Sequence, residues 1–330
     1  MLRPFHHLKR FWLVMRTRLH LALMVLVLAG GTWSFAGEGM PRLSTKERQV
    51  YLEEFRAAIR ENTGWERIRA AEALVGHGYP QEATDALRDQ ADTAPPEERI
   101  GVWRTLAQAA PSPEARRTMT DRIRAVFADS SAPDRTHAVE SMAKLRVKIT
   151  NAERSLAKAM TSGSSAAAVF PNWLLALSGD AEARGALVSA LGDSDPVTRL
   201  RAAFSLSHLD DPLTAEEVAA LEAAALAEAL DAPYRAWMIG AAWEHSTKPR
   251  GREVLTPLLA DCLRSSDAAQ RLQAANCIAD GGTAADWPLL SGLKNDPDPR
   301  VRRAVANACL RFDSQQPATA PAGPKLHDRR

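Results

Sequence analysis

The sequence predicts an all-α chain built as an array of paired helices. Three observations carry that prediction. One arginine returns at near-constant intervals, as Arg67, Arg99, Arg135, Arg199, Arg235, Arg271 and Arg302, with Phe170 filling the single gap. That period is the length of one helix–turn–helix unit. Around each arginine the neighbouring positions agree in residue type, and no strand-like alternation interrupts the alanine-rich helical spacing.

Each unit is read from that register. Four positions before the arginine stand Thr63, Ser131, Asp195, Asp231, Asp267 and Asp298, residues whose side chains accept from the free N–H groups that open a helix. Pro196 and Pro299 follow their aspartates at the first helical position, where a missing N–H costs nothing. Seven positions after the arginine come Leu74, Leu106, Met142, Leu177, Leu206, Ala242, Ile278 and Cys309, each preceded by a small or short polar residue such as Ala73, Ser141 or Ala308. A small residue lets two helices approach, and the next one fills the space beyond.

A first amphipathic helix precedes each capped one, as in Leu52–Ile59, Leu187–Leu191, Val254–Leu263 and Trp287–Leu293. About eight helical pairs follow, forming one elongated superhelix over residues 51–312. Such arrays bury their apolar faces only against neighbouring units, so no pair folds alone. Two stretches depart from the pattern. Leu213–Ala229 is a long alanine-rich first helix with a sharp start at Asp210-Asp211-Pro212, and Pro171 should shift or shorten the helix containing Phe170 and Trp173.

The two ends read differently. Residues 1–36 place Arg3, Lys9, Arg10, Arg16 and Arg18 before the apolar run Leu19–Gly30, with Ser34-Phe35-Ala36 before a break, the pattern of a secretory signal or an uncleaved N-terminal anchor. Either puts the repeats outside the cytoplasm, periplasmic or secreted, or tethered to the inner membrane. Residues 37–50 read as a linker and residues 313–330 as a disordered, Pro- and Ala-rich tail. Taking the leader's five basic residues from the chain's 42 leaves 37 against 40 acidic ones, a formal balance of −3. A near-neutral mature chain lacks the positive charge that nucleic-acid binding requires.

Chemistry-bearing motifs are missing. No GxSxG, HExxH, Walker loop or dinucleotide fingerprint occurs, and His77, His137, His208 and His245 are scattered over different units. No Cys/His spacing suggests a metal, and no cofactor is expected. Cys262, Cys277 and Cys309 lie on helical faces as buried thiols, with Cys262–Cys277 the more plausible pair if an oxidising compartment formed one bridge.

Segments such as Ala186–His208 and Pro288–Leu310 resemble HEAT repeats, particularly the short type named after phycobilisome lyases. That resemblance implies an armadillo-type superhelix. It also implies structural roles for Asp195/Arg199, Asp231/Arg235, Asp267/Arg271 and Asp298/Arg302, through a ladder of hydrogen bonds between repeats. In such arrays the second helix lines the concave side, so the residues two and five places after the arginine become candidate binding positions: Arg69 with Glu72, Arg104, His137 with Glu140, Asn172, Arg201, Phe204, Trp237, and Gln273 with Asn276.

Exposed aromatics among Arg, Asn and Gln fit a binding surface. The leading expectation is a non-catalytic scaffold that binds a protein or peptide on its concave face. An envelope polysaccharide module using Trp237, Phe204 and Trp243 as stacking platforms is an alternative, as is an enzyme of the HEAT-like lyase kind. Membrane contact is expected only through the N-terminal segment.

Overall fold

The computed structural model describes residues 39–163, 165–246 and 249–316. The leader at 1–36 and the tail beyond 316 lie outside the described residues. Sixteen α-helices and no strand are found among the described residues. They fall into eight pairs: α1 (Thr45–Glu61) with α2 (Gly64–Gly76), α3 (Pro80–Leu87) with α4 (Pro96–Ala109), α5 (Pro113–Ala128) with α6 (Arg135–Lys144), and α7 (Asn151–Met160) with α8 (Ser165–Ala176). The second half continues with α9 (Ala181–Ala190) and α10 (Pro196–Ser207), α11 (Ala215–Ala227) and α12 (Arg235–His245), α13 (Pro249–Leu263) and α14 (Ala268–Gly281), then α15 (Trp287–Leu290) and α16 (Pro299–Gln315). Two short 3₁₀ turns flank α15, so the span read as a first helix over 287–293 is only partly α-helical.

Side-chain caps account for where many helices begin. Asp195, Asp267 and Asp298 each accept from N–H groups one or two places into α10, α14 and α16. Ser44, Thr150 and Thr214 form reciprocal capping boxes with Glu47, Glu153 and Glu217. Three expected caps differ. Thr63 precedes α2 without a side-chain bond, while α6 and α12 begin only at the arginine itself, which leaves Ser131 and Asp231 in the turns before them. Pro171 stays inside α8, and α11 starts at Ala215 with Leu226 and the following Leu230 exposed.

Most of the repeating arginines reach into the following pair. Arg99 grips Asp134 at 2.7 and 2.8 Å, Arg199 grips Glu228 at 2.6 and 3.1 Å, and Arg271 grips Asp296 at 2.7 and 2.9 Å, each partner lying in the following pair. Planar guanidinium forks suit such bidentate contacts. Arg67 reaches the Ala86 carbonyl and Arg135 the Phe127 carbonyl, whereas Arg235 meets only the Cys262 thiol at 3.5 Å. Asp195, Asp267 and Asp298 serve the backbone N–H groups of their own helices, and Arg99, Arg199 and Arg271 take other carboxylates. A second ladder joins outer helices, with Arg56 on Glu82, Arg124 on Glu153 and Arg184 on Glu217.

The array does not stay open. The even-numbered helices pack consecutively from α2 to α16, and α16 then packs on α1, so the last pair meets the first. Residues 39–44, read as linker, run along α16: Met40 N–H donates to Ala284 O at 2.8 Å, Gln316 Nε2 donates to Met40 O at 2.9 Å, and Leu43 N–H donates to Asp313 Oδ1 at 2.9 Å. Asp313 also pairs with Arg48 and is 1% exposed, so the start of the span read as tail is helix and core. Elongation gives way to a closed ring because Leu52, Phe55 and Ala58 of α1 find Ala306 and Leu310 of α16 as an apolar partner.

One continuous apolar core follows the ring from Ile68 to Phe312, with Trp173 and Trp243 wholly buried. The closing contact has its own smaller cluster, formed by α1, α2 and α16. Cys262, Cys277 and Cys309 are free and buried, and burial pushes the Cys309 thiol up to about 11. No bridge joins Cys262 to Cys277. Among the described residues no helix is long and apolar enough to cross a membrane.

Helices α12 and α14 approach closely at Gly240. Gly240 faces the Cys277 side chain so tightly that a methyl group there would overlap both its Sγ and Cβ. Gly240→Ala is expected to lower stability by about 1–3 kcal/mol through overpacking, read as a lower urea midpoint at unchanged helix content. An unchanged midpoint would show that these helices slide apart freely.

Candidate functional site: the lumen of the ring

Ring closure turns the concave face into a lumen. A cavity of about 840 Å³ is lined from α1, α2, α4, α6, α8, α10, α14 and α16, which brings residues far apart in sequence to one place. Helical periodicity explains which residues arrive there. The positions five and nine places after the repeating arginine lie one turn apart on the same face. The ninth position supplies Gly76, Gln108, Lys144, His208, Asp280 and Arg311 to the lumen, and Glu244 to a small cavity beside it. The fifth supplies Glu72, Phe204, Asn276 and Asn307. Continuing the concave stripe one turn along each second helix would have found the ninth-position residues from sequence.

The candidates chosen from sequence are divided by this geometry. Arg69 and Phe204 face the lumen, and Trp237 lines the adjoining small cavity with Phe204, His208, Glu244 and Asp280. Arg104 is buried between units, gripping Glu72 at 3.0 and 3.2 Å and donating to Ser141 Oγ at 3.0 Å. His137 packs at 5.2 Å from the Trp65 ring, and burial lowers its pKa to about 4. Arg201 donates to Ala166 O at 2.7 Å and covers the Phe170 ring, while Gln273 Nε2 donates to Pro233 O at 3.0 Å. Asn172 is half-buried and does not line the lumen. At Arg201 and Gln273, the side chain two places after the register position bridges to the preceding pair. Trp243 is wholly buried with its indole N–H on Thr256 Oγ1 at 3.0 Å, so it offers no stacking platform.

Cations outnumber anions on the lumen wall. Its charged lining consists of Arg69, Lys144, Arg146, Arg300, Arg303 and Arg311 against Glu66, Glu72 and Asp280. Five of the six cations have carboxylate partners: Lys144 with Glu140, Arg146 with Asp210, Arg300 with Asp298, Arg303 with Glu66 and Arg311 with Asp280. Arg69 is exposed and has no hydrogen-bond or ion-pair partner among the described residues. A fixed cation in a walled cavity attracts anions more strongly than one on an open surface.

An aromatic wall faces these charges. Phe204 stacks on His208 at 4.1 Å and meets Trp173 edge-on at 5.5 Å, with Lys144 Nζ over the Phe204 ring at 5.0 Å. Arg146, at φ 54°, crosses to donate to His208 O at 2.7 Å, which ties the turn after α6 to the end of α10. Burial lowers the His208 pKa to about 4, and its neighbours Lys144 and Arg146 push the same way, so the ring is neutral at physiological pH.

Glu244 behaves oppositely. Burial and the nearby Asp280 carboxylate raise its pKa to about 7 from an ordinary 4.5, although Arg311 and Arg252 oppose the shift. The folded chain therefore keeps a proton that the unfolded chain releases above about pH 4.5. Stability from this group is complete below that value and is lost as pH rises through about 7. Relative to the parent, Glu244→Gln should gain urea stability as pH rises across this window, by on the order of 1–2 kcal/mol after allowing for solvent screening. A pH-independent difference would place Glu244 in contact with water.

No group of three or more His, Cys, Asp and Glu side chains able to hold a metal occurs among the described residues. No family model matches the chain, and no curated protein matches it in sequence. Among solved structures it is similar to human deoxyhypusine hydroxylase in complex with glycerol, with TM-score 0.37 and 18% identity over 81% of this chain and 98% of that one. It is also similar to two engineered proteins, one at TM-score 0.31 and 16% identity over 81% of this chain and 78% of that chain, the other at 0.21 and 19% over 80% and 97%. At TM-scores this low none of them bears on the geometry or the chemistry of the lumen.

Proposed function

We propose that this chain is a non-catalytic, HEAT-like binding ring outside the cytoplasm that holds a peptide segment of a partner protein in its lumen. The observation that carries this reading is the convergence of the second helices on one cation-rich cavity in which Arg69 is exposed and unpaired. Its volume of about 840 Å³ falls within the range of roughly 300–1,000 Å³ usual for small-ligand sites, which suits a short segment. Export follows from the basic and apolar leader, and the near-neutral remainder is suited to peptide rather than to nucleic acid.

A photo-crosslinking residue placed at Gln108, inside the lumen, tests the reading in the full-length chain. Crosslinks to a peptide segment are expected there, lost with Arg69→Glu, and missing from a control position at Glu182 on the outer helix α9. Crosslinks from Glu182 alone would move the site to the outer face.

A second reading, an enzyme, is favoured by one observation: Glu244 beside Asp280 has the raised pKa of a general acid and adjoins the lumen. Glu244→Gln separates the two readings. Retained binding with no chemical change in the bound peptide, by mass spectrometry of parent and variant alike, leaves the ring as a binder. Conversion by the parent alone would make it an enzyme.

A further inference from the structure

The junction between α16 and the first pair differs from every other in the ring. Elsewhere each even-numbered helix packs on the next, whereas α16 and α2 are linked chiefly by side chains, Arg303 to Glu66 and His77 Nε2 to Asn307 Oδ1 at 2.9 Å. The apolar cluster at this seam is separate from the main core. The register arginine at the seam also holds its carboxylate only loosely. Arg302 stays 3.8 Å from Glu54, where Arg99, Arg199 and Arg271 hold their carboxylates at 2.6–3.1 Å.

A cleft of about 930 Å³ opens at this seam, and Glu66, Arg300 and Arg303 line both it and the lumen. These three side chains are the partition between the two cavities. Beyond them the charge changes sign: the cleft adds Glu53, Glu54, Glu61 and Asp298 against Arg302, while the lumen is cationic. Glu61 is exposed and unpaired, and Glu53 meets only the exposed Arg60.

We infer that cleft and lumen form one site for an extended peptide that carries its charges in two separate blocks. The acidic block lies in the lumen near Arg69, the basic block lies along Glu53 and Glu61, and the chain passes between Glu66 and Arg303. This rests on the lumen being a peptide site. Entry from the side removes the need to thread a closed ring. Parting the pair is eased at Glu66, which is 34% exposed, while Arg303, at 14%, finds a new anion in the acidic block of the peptide. Opposite charges placed in complementary patches give orientation and selectivity.

Fluorescence anisotropy of the full chain with three labelled peptides tests the inference. One carries a lysine block joined to a glutamate block, one interleaves the same residues, and one is all glutamate. The blocked peptide should bind about tenfold more tightly than the interleaved one. Glu53→Lys with Glu61→Lys should erase that margin without weakening the all-glutamate peptide, and Arg69→Glu should weaken both acidic ligands. Equal affinity for blocked and interleaved peptides, or a margin that survives the double substitution, overturns the two-part site and leaves the lumen reading standing. If the all-glutamate peptide also fails to bind, both readings fall.

Discussion

Replacing Asp313 with alanine is expected to open the ring while leaving its helices formed. Its carboxylate is 1% exposed, accepts the Leu43 N–H at 2.9 Å and pairs with Arg48, so one side chain fixes both the N-terminal strap and the first turn of α1 to the last helix. Removing it strands a backbone donor and a guanidinium. Charged hydrogen bonds of this kind contribute about 1.5–3 kcal/mol each, discounted here because Arg48 is 33% exposed, which gives a loss of about 2–3 kcal/mol. The loss should fall locally, because the seam has an apolar cluster of its own. Stability in helical arrays is a sum of unit and interface terms, so one interface can fail first. Hydrogen exchange should therefore quicken across α1, and the radius of gyration by X-ray scattering should grow at unchanged helix content. A single cooperative loss of the whole fold, with α1 no faster than α10, would mean that the seam is no weaker than the other interfaces.

Closure was the part of the fold least legible in the sequence. Pairing, period and most caps rest on residues close in the chain, and Asp195, Asp267 and Asp298 cap where their spacing places them. Whether an array closes depends on a small rotation between neighbours summed over all eight pairs, and no local motif encodes such a sum. The one local trace was easily misread. Asp313 opens a polar, proline-bearing stretch that looks like a tail, and only its distant partners Leu43 and Arg48 make it core.

The site was half legible for a related reason. The arginine register identified the lumen helices, and Arg69 and Phe204 face the cavity. At Arg201 and Gln273, the residue two places after the arginine turns toward the preceding pair, to Ala166 and Pro233. Lys144, His208, Asp280 and Arg311 lie a turn farther along, and they form much of the wall. In an open groove both positions could be exposed.

The largest loss of stability is expected from Trp173→Ala. This side chain is wholly buried, its indole N–H donates to His208 O at 3.3 Å, it makes an edge-on contact with Phe204 at 5.5 Å, and Arg146 covers it at 5.9 Å. Truncation removes the transfer energy of the indole and leaves a cavity, together about 3–5 kcal/mol. Neighbours have little freedom to collapse into that space. Pro171 constrains the same helix two residues earlier, and Phe204 is already stacked on His208. Because Phe204 and His208 line the lumen, the same substitution should also loosen any ligand held there, whereas Trp237→Ala, at a half-buried ring beside the small cavity, should cost much less stability. Urea unfolding of the two variants side by side decides the point. Equal losses would mean that Trp173 contributes no more than the half-buried Trp237, and that the aromatic wall of the lumen stands without a foundation in the core.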